Sequence, residues 1–257
     1  MSNQLTTDQG SQVPTQLTTA KTLGLIGGMS WESSLEYYRI LNTLAKHSLG
    51  GVHSAPIILD SLDFGVVEEL QSIGDWNRLD ELMANHALGL ARAGAQIIGI
   101  SSNTMHRCWP NVIEALESHQ GTGQQVKAVH IVQPVGEYAR TKGWKNLGLL
   151  GTKFTMEGQD YPKILAMDFG ISVMVPNPEQ RALVHRVIYE ELVVGVVTES
   201  SRKVFMKIIE DLKTKGAEGI ILGCTEIPLL VQQSHTPVPL LDTTTLHCQA
   251  LWNAANR

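Results

Sequence analysis

Ser102 and Cys224 are the side chains of this sequence best placed to exchange protons with a bound molecule. Each follows a short apolar run and precedes hydroxyl, amide or carboxyl groups: Ile100-Ser101-Ser102-Asn103-Thr104 in the first half, Leu222-Gly223-Cys224-Thr225-Glu226 in the second. The segments around them, Arg92 to Thr104 and Thr214 to Glu226, align residue by residue, which makes Ser102 and Cys224 equivalent at an offset of 122. Lys21 to Gly28 and Lys145 to Thr152 align in the same way at an offset of 124. Two separate stretches agreeing this closely identify a duplicated half.

Two like halves packed about a pseudo-twofold axis bring equivalent strand ends to opposite sides of one cleft. Ser102 and Cys224 then flank whatever binds there, which suits a reaction that removes a proton from one face of a carbon and returns one to the other. The two groups are unequal, because a thiol with a pKa of about 8.5 ionises far more readily than a serine hydroxyl. A lone cysteine commonly packs as a small hydrophobe. The position of Cys224 beside Thr225, just ahead of an expected helix start, instead predicts a thiolate favoured by the helix N-terminus.

The elements that must carry these residues follow from alternating short apolar runs and amphipathic stretches, the pattern of βαβ units around a mostly parallel sheet. In the first half, strands are expected at Thr22 to Ile26, Pro56 to Asp60, Gln96 to Ile100 and Ala128 to Val132. Helices are expected at Trp31 to His47, at Asp75 to Ala93 and from about His106 to Leu116, with a loop at Gly121-Thr122-Gly123. The second half repeats the order, with strands at Leu147 to Leu150, Ile171 to Val175, Gly219 to Leu222 and Val238 to Leu240. A loop is expected at Thr152 to Thr155, and helices at Gly158 to Met167, Gln180 to Val194, Ser200 to Lys215 and His247 to Ala255. The fold expected is α/β: two similar lobes related by pseudo-twofold duplication, residues 21–134 and 135–257, each a mostly parallel sheet flanked by helices. The crossing is expected between Pro134 and Gly143, and the last helix is free to pack back on the first lobe. Residues 1–20, rich in Gln, Thr and Ser, are expected to be a disordered tail without the makings of a signal peptide.

Ligands of open α/β sheets collect outside the carboxyl ends of the strands, where backbone N–H groups and helix N-termini are exposed. Gly27-Gly28-Met29-Ser30 and Gly151-Thr152 also fall there, and their small residues and hydroxyls suit a carboxylate. Cys108 and Cys248, in helical stretches among apolar residues, read as packing. His106 reads either as a donor behind the site or as a capping or solvated histidine.

Composition narrows the partners. A hydrophobic content of 43% in 257 residues supports a core in each lobe, and a net charge of −5 without basic runs leaves no footprint for nucleic acid or anionic membrane. No apolar run reaches the roughly 18 residues of a membrane span. Three cysteines without CxxC spacing argue against a disulfide framework and a metal site, and for a reducing cytoplasm. No Gly-rich run has nucleotide-binding spacing. A small molecule is the default ligand.

Several motifs in order resemble the aspartate/glutamate racemase superfamily, the enterobacterial broad-specificity amino acid racemases most of all. They are Gly27-Gly28-Met29-Ser30-Trp31-Glu32-Ser33, Ser102-Asn103-Thr104-Met105-His106, Leu150-Gly151-Thr152-Lys153-Phe154-Thr155-Met156, Leu222-Gly223-Cys224-Thr225-Glu226-Ile227, and Asp242-Thr243 through His247. The resemblance spans nearly all of residues 21–256. It implies racemisation of aspartate, glutamate or related amino acids with no cofactor and no metal, in a homodimer. It puts the acid/base pair on Ser102 and Cys224, Cys224 serving the L-amino acid. Most members carry cysteine at both positions, and the enterobacterial branch carries threonine at the first. Asn103, Thr104, Thr225 and Glu226 would hold the substrate carboxylate or ammonium, and Met29, Ser30, Gly151 and Thr152 would line the cleft. Gln71 falls where archaeal aspartate racemases place an arginine for the side-chain carboxylate, and Lys163 is a further candidate cation. Relatives of the superfamily leave alternatives: a decarboxylase or isomerase using Cys224, or an inactive amino acid binder.

Overall fold

The structure, a computed structural model, describes residues 20–120 and 125–256. All but the last residue of the expected tail, and the Gly121-Thr122-Gly123 loop, lie outside the described residues. Strands β1 (Leu23–Gly27), β2 (Ile57–Ser61), β3 (Ile97–Ile100) and β4 (Lys127–Ala128) form one parallel sheet in the order β2-β1-β3-β4. Strands β5 (Asn146–Gly151), β6 (Ser172–Met174), β7 (Gly219–Gly223) and β8 (Leu240–Asp242) form a second in the order β6-β5-β7-β8. The same strand order, shifted by four, is the duplication read from the sequence. The inner strands β1, β3 and β7 are buried throughout, which is why they read as unbroken apolar runs rather than alternating ones.

Register sets the site. Ile26 pairs with Ile100, so the chain leaving β1 toward Met29 runs beside the chain leaving β3 toward Ser102. Gly151 pairs with Gly223, which brings Thr152 beside Cys224. A Cβ on Gly151 would stand 2.8 Å from the Gly223 carbonyl oxygen and 3.2 Å from Thr155, so glycine is what lets these two strand ends approach.

Helices cover both faces. The first lobe carries α1 (Trp31–Leu49), α2 (Phe64–Ile73), α3 (Trp76–Arg92) and α4 (Trp109–Gln120). Ser30 caps α1 by accepting from the Ser33 N–H, and Asp63 caps α2 by accepting from Gly65. After them come α5 (Val132–Thr141), α6 (Lys153–Glu157), α7 (Asp160–Phe169), α8 (Pro178–Glu190), α9 (Glu199–Thr214), α10 (Ile227–Leu230) and α11 (Thr243–Ala255). No described helix is long and apolar enough to cross a membrane.

Three local expectations fail for identifiable reasons. The strand expected to run to Val132 stops at Ala128, because Val132, Val135 and Ala139 form a helical apolar stripe and Pro134 sits in the first turn, where no N–H is needed. The resulting α5 fills the segment reserved for the crossing, and its buried residues join the core around Leu147, Leu149 and Ile220. Thr152 to Thr155 is a helix start rather than a loop, since the Thr152 hydroxyl accepts from the Thr155 N–H. Strand β8 begins at Leu240, two residues later than expected, after a turn in which the Thr236 hydroxyl accepts from the Val238 N–H. Helix α11 crosses to the first sheet: Cys248, Leu251 and Trp252 pack with Leu23, Leu25 and Tyr37.

Three buried imidazoles meet where α11 crosses. His106 lies 4.6 Å from His130 and 5.6 Å from His247, centroid to centroid. Burial pushes His130 down to about 3 and His247 to about 4, and His106 well below the ordinary value. The folded protein therefore keeps them neutral while the unfolded chain takes up protons below about pH 6.5. Stability is full above that pH and falls as pH drops toward the folded values, by about 2 kcal/mol at pH 5 for one such histidine. Calorimetry should show a melting temperature lower by about 5 °C or more at pH 5 than at pH 7.5. An unchanged melting temperature would mean that these rings titrate normally.

Candidate active site

One cavity lies between the carboxyl ends of the two sheets. Met29, Gln71, Ser102, Asn103, Thr104, Thr152, Cys224, Thr225 and Glu226 line it, together with Phe64, Ile188, Tyr189, Val193 and Gly223. Three sequence candidates stand elsewhere. Ser30 is behind the wall, tied to Glu226. Gly151 is packed under Gly223. Lys163 is exposed to solvent: on α7 the inward residues are Tyr161 and Leu165, four apart, and Lys163 falls on the opposite face. Lys163 is therefore withdrawn as a cleft cation, and the inward residue of that turn is Tyr161.

Ser102 leaves β3 into a 3-10 turn at Thr104–Cys108. Its carbonyl accepts a 2.7 Å hydrogen bond from His106 Nδ1, while His106 Nε2 accepts from the Ile131 N–H at 3.2 Å, which fixes the neutral tautomer. His106 is thus a buried donor behind the site. Asn103 ties the two strand ends together. Its Nδ2 donates to Thr243 Oγ1 at 3.0 Å, and that hydroxyl donates to the Leu222 carbonyl at 2.8 Å, two residues before Cys224. Its Oδ1 accepts from the Tyr161 hydroxyl. Thr104 Oγ1 meets Thr152 Oγ1 at 3.0 Å and Thr155 Oγ1 at 3.2 Å, again across the cleft.

Glu226 is the electrostatic centre. Its Oε2 accepts from Cys224 Sγ at 2.9 Å and from Thr225 Oγ1 at 2.7 Å, and its Oε1 accepts from Ser30 Oγ at 2.6 Å. It is 3% exposed, and no described Lys, Arg or His forms an ion pair with it. A buried carboxylate satisfied by neutral donors alone is a site that gains from an arriving cation.

Cys224 departs from the expected thiolate. Burial first, then the charge of Glu226 and the hydrogen bond to it, push its thiol well above the ordinary range. Helix α10, which follows it, has only four residues, so the expected help from a helix N-terminus is small beside a carboxylate at 2.9 Å. The thiol instead donates to the Glu226 carboxylate. Cys108 and Cys248 are buried in packing, and burial raises both.

Sequence reasoning missed Phe64, Ile188, Tyr189 and Val193. Phe64 lies on α2, of which the sequence shows only the solvated face around Glu68 and Glu69, and the face that α8 turns inward has no local signal. Tyr189 donates to Gln71 Oε1 at 3.0 Å and stacks on Phe64 with ring centroids 6.5 Å apart, closing the cleft from both lobes. Burial pushes the Tyr189 phenol up, with Cys224, Glu68 and Glu226 adding to it, so it is a donor. Among the described residues no group of three His, Cys, Asp or Glu side chains could hold a metal ion.

Known proteins share this fold. The sequence profile of the Asp/Glu/hydantoin racemases matches residues 26–251. The crystal structure of an inferred Asp/Glu racemase from Yersinia pestis is 42% identical, with a TM-score of 0.83 covering 92% of this chain and 100% of that one. An aspartate racemase homologue from Pyrococcus horikoshii is 31% identical, with a TM-score of 0.76 and coverage of 92% and 100%. A glutamate racemase from Francisella tularensis, solved with D-glutamate, is 16% identical with a TM-score of 0.64 and coverage of 91% and 80%, a likeness of fold alone. A profile match over most of the chain and two relatives above 30% identity agree with the duplicated sheets and the cleft between them: the chain belongs to the Asp/Glu/hydantoin racemase family of isomerases.

Proposed function

We propose that the protein racemises amino acids without a cofactor, with Cys224 and Ser102 acting on opposite faces of the substrate Cα. The observation that carries this reading is that equivalent strand ends of a duplicated fold deliver one thiol and one hydroxyl to a single cavity, beside a buried carboxylate with no cationic partner among the described residues.

The substrate ammonium goes to Glu226. Its positive charge offsets the carboxylate that holds the thiol protonated, so thiolate forms when substrate is bound rather than before. The thiol gives its proton to solvent as the ammonium settles on Glu226, the thiolate takes the α-proton of the L-amino acid, and the Ser102 hydroxyl returns a proton on the other side; solvent then reprotonates the Ser102 oxygen and takes the proton gained by Cys224, which resets the pair. The α-carbanion is carried into the carboxylate as an enediolate, stabilised by the hydroxyls of Thr104 and Thr152 and by backbone N–H groups at the strand ends. All three cysteines are free thiols, which suits a reducing cytoplasm.

This mechanism separates two pH profiles. Initial kcat/KM reports the free enzyme and should rise with pH through an apparent pKa above the ordinary thiol range of about 8.5, whereas kcat should level off at lower pH. Superimposed profiles would show that substrate does not ionise the thiol.

Ser102→Cys is the experiment that tests the pair. At saturation the wild type should turn over the D-substrate more slowly than the L-substrate, because a hydroxyl is the poorer base. The equilibrium constant of one requires kcat/KM to be equal in both directions. The nearly isosteric second thiol should raise kcat for the D-substrate by about tenfold or more. No gain, or a loss, would remove Ser102 from the acid/base pair.

A further inference from the structure

The racemase reading leaves open what the substrate side chain is, and the cavity carries information on that point. The polar groups gathered around Glu226 belong to Cys224, Thr225 and Ser30. A second group of lining residues, Phe64, Gln71, Ile188, Tyr189 and Val193, carries no charge. Neither a lysine nor an arginine is among the described residues that line the cavity, so its one formal charge is the carboxylate of Glu226.

Three cations of the flanking segments have partners of their own. Arg107, which lines the adjoining cavity with Asp160, lies 3.9 Å over the Trp76 ring. Arg181 pairs with Glu157 at 2.9 Å, and Lys153 lies over the Phe154 ring.

An amino acid brings its own ammonium and carboxylate, which balance each other, and the ammonium answers Glu226. A second carboxylate on the side chain would enter a site with no lysine or arginine among its described lining residues and an anion already present. That is disfavoured on desolvation and on repulsion alike. The polar atoms of the uncharged wall are matched to a neutral group. Gln71 spends one amide N–H on Met105 Sδ at 3.1 Å and its Oε1 on Tyr189, leaving one N–H and the lone pairs of the tyrosine oxygen. One donor and one acceptor suit a carboxamide, whereas a carboxylate can only accept.

We infer that, if the racemase reading holds, the site selects amino acids with uncharged side chains, glutamine over glutamate and asparagine over aspartate, with Gln71 and Tyr189 setting the choice. Each pair is nearly isosteric, so shape cancels and the comparison reads charge and hydrogen bonding alone.

The test compares kcat/KM for solvent-deuterium incorporation at Cα with L-glutamine, L-glutamate, L-asparagine and L-aspartate on the full chain. Each amide should exceed its acid by about tenfold or more. Gln71→Arg should swing the glutamine-to-glutamate ratio toward glutamate by about a hundredfold. Tyr189→Phe, a milder change, should narrow the ratio without inverting it. The same four ligands are read for binding by thermal shift. Equal rates, or preference for the dicarboxylates, would overturn this inference and leave the racemase reading standing. Binding that favours the amides with no exchange from any of the four would support the selectivity and overturn the racemase reading. Neither exchange nor binding would overturn both.

Discussion

Cys224→Ala is expected to give a folded protein in which α-proton exchange from L-substrates falls by at least about 10³-fold. Cys224 is the only thiol lining the cavity, and no other described lining group is a base of comparable strength once Glu226 is occupied by the ammonium. Removing one sulfur atom at a site that is 8% exposed should cost about 1 kcal/mol, so the melting temperature should change little. Deuterium incorporation followed by mass spectrometry, beside a thermal melt, reads both quantities. A folded alanine variant that still exchanges would take Cys224 out of the chemistry.

Glu226→Gln is expected to lower kcat/KM by about 10²-fold or more, because the ammonium loses its counter-charge in a buried site. The pH profile makes the test specific. The charge of Glu226 is one of the causes that hold the Cys224 thiol up, so in the glutamine variant the surviving activity should reach its plateau at lower pH than in the wild type. A drop in rate with an unmoved profile would mean that Glu226 shapes the cavity without governing the thiol.

Duplication and sheet class were legible because they live in local patterns. Buried parallel strands are unbroken apolar runs, and the two copies place Ser102 and Cys224 in register. What depended on tertiary packing was not legible. Lys163 and Tyr161 are two residues apart on one helix, and only the packing of α7 against its lobe decides which of them faces inward. The environment of Cys224 is not legible in sequence, because a helix start is visible there whereas the 2.9 Å approach of Glu226 two residues later is a matter of side-chain direction. Tyr189 reaches Gln71 from 118 residues away, through α8 of one lobe and α2 of the other. The network from Asn103 to Thr243 to Leu222 likewise joins three separate segments. In sequence His106 fits a role behind the site or mere solvation, and its burial beneath Ser102 decides for the first.

The central claim is two-sided proton transfer, and isotope labelling at low conversion tests it most directly. Incubate the wild-type protein with an L-amino acid substrate in D₂O without added cofactor, then separate the enantiomers and weigh each. Newly formed D-enantiomer should carry deuterium at Cα, since its proton comes from the opposite side, while recovered L-enantiomer should stay largely unlabelled because the thiol returns the proton it took. A D-product that keeps the substrate's own α-hydrogen, or the absence of any inversion, would contradict it.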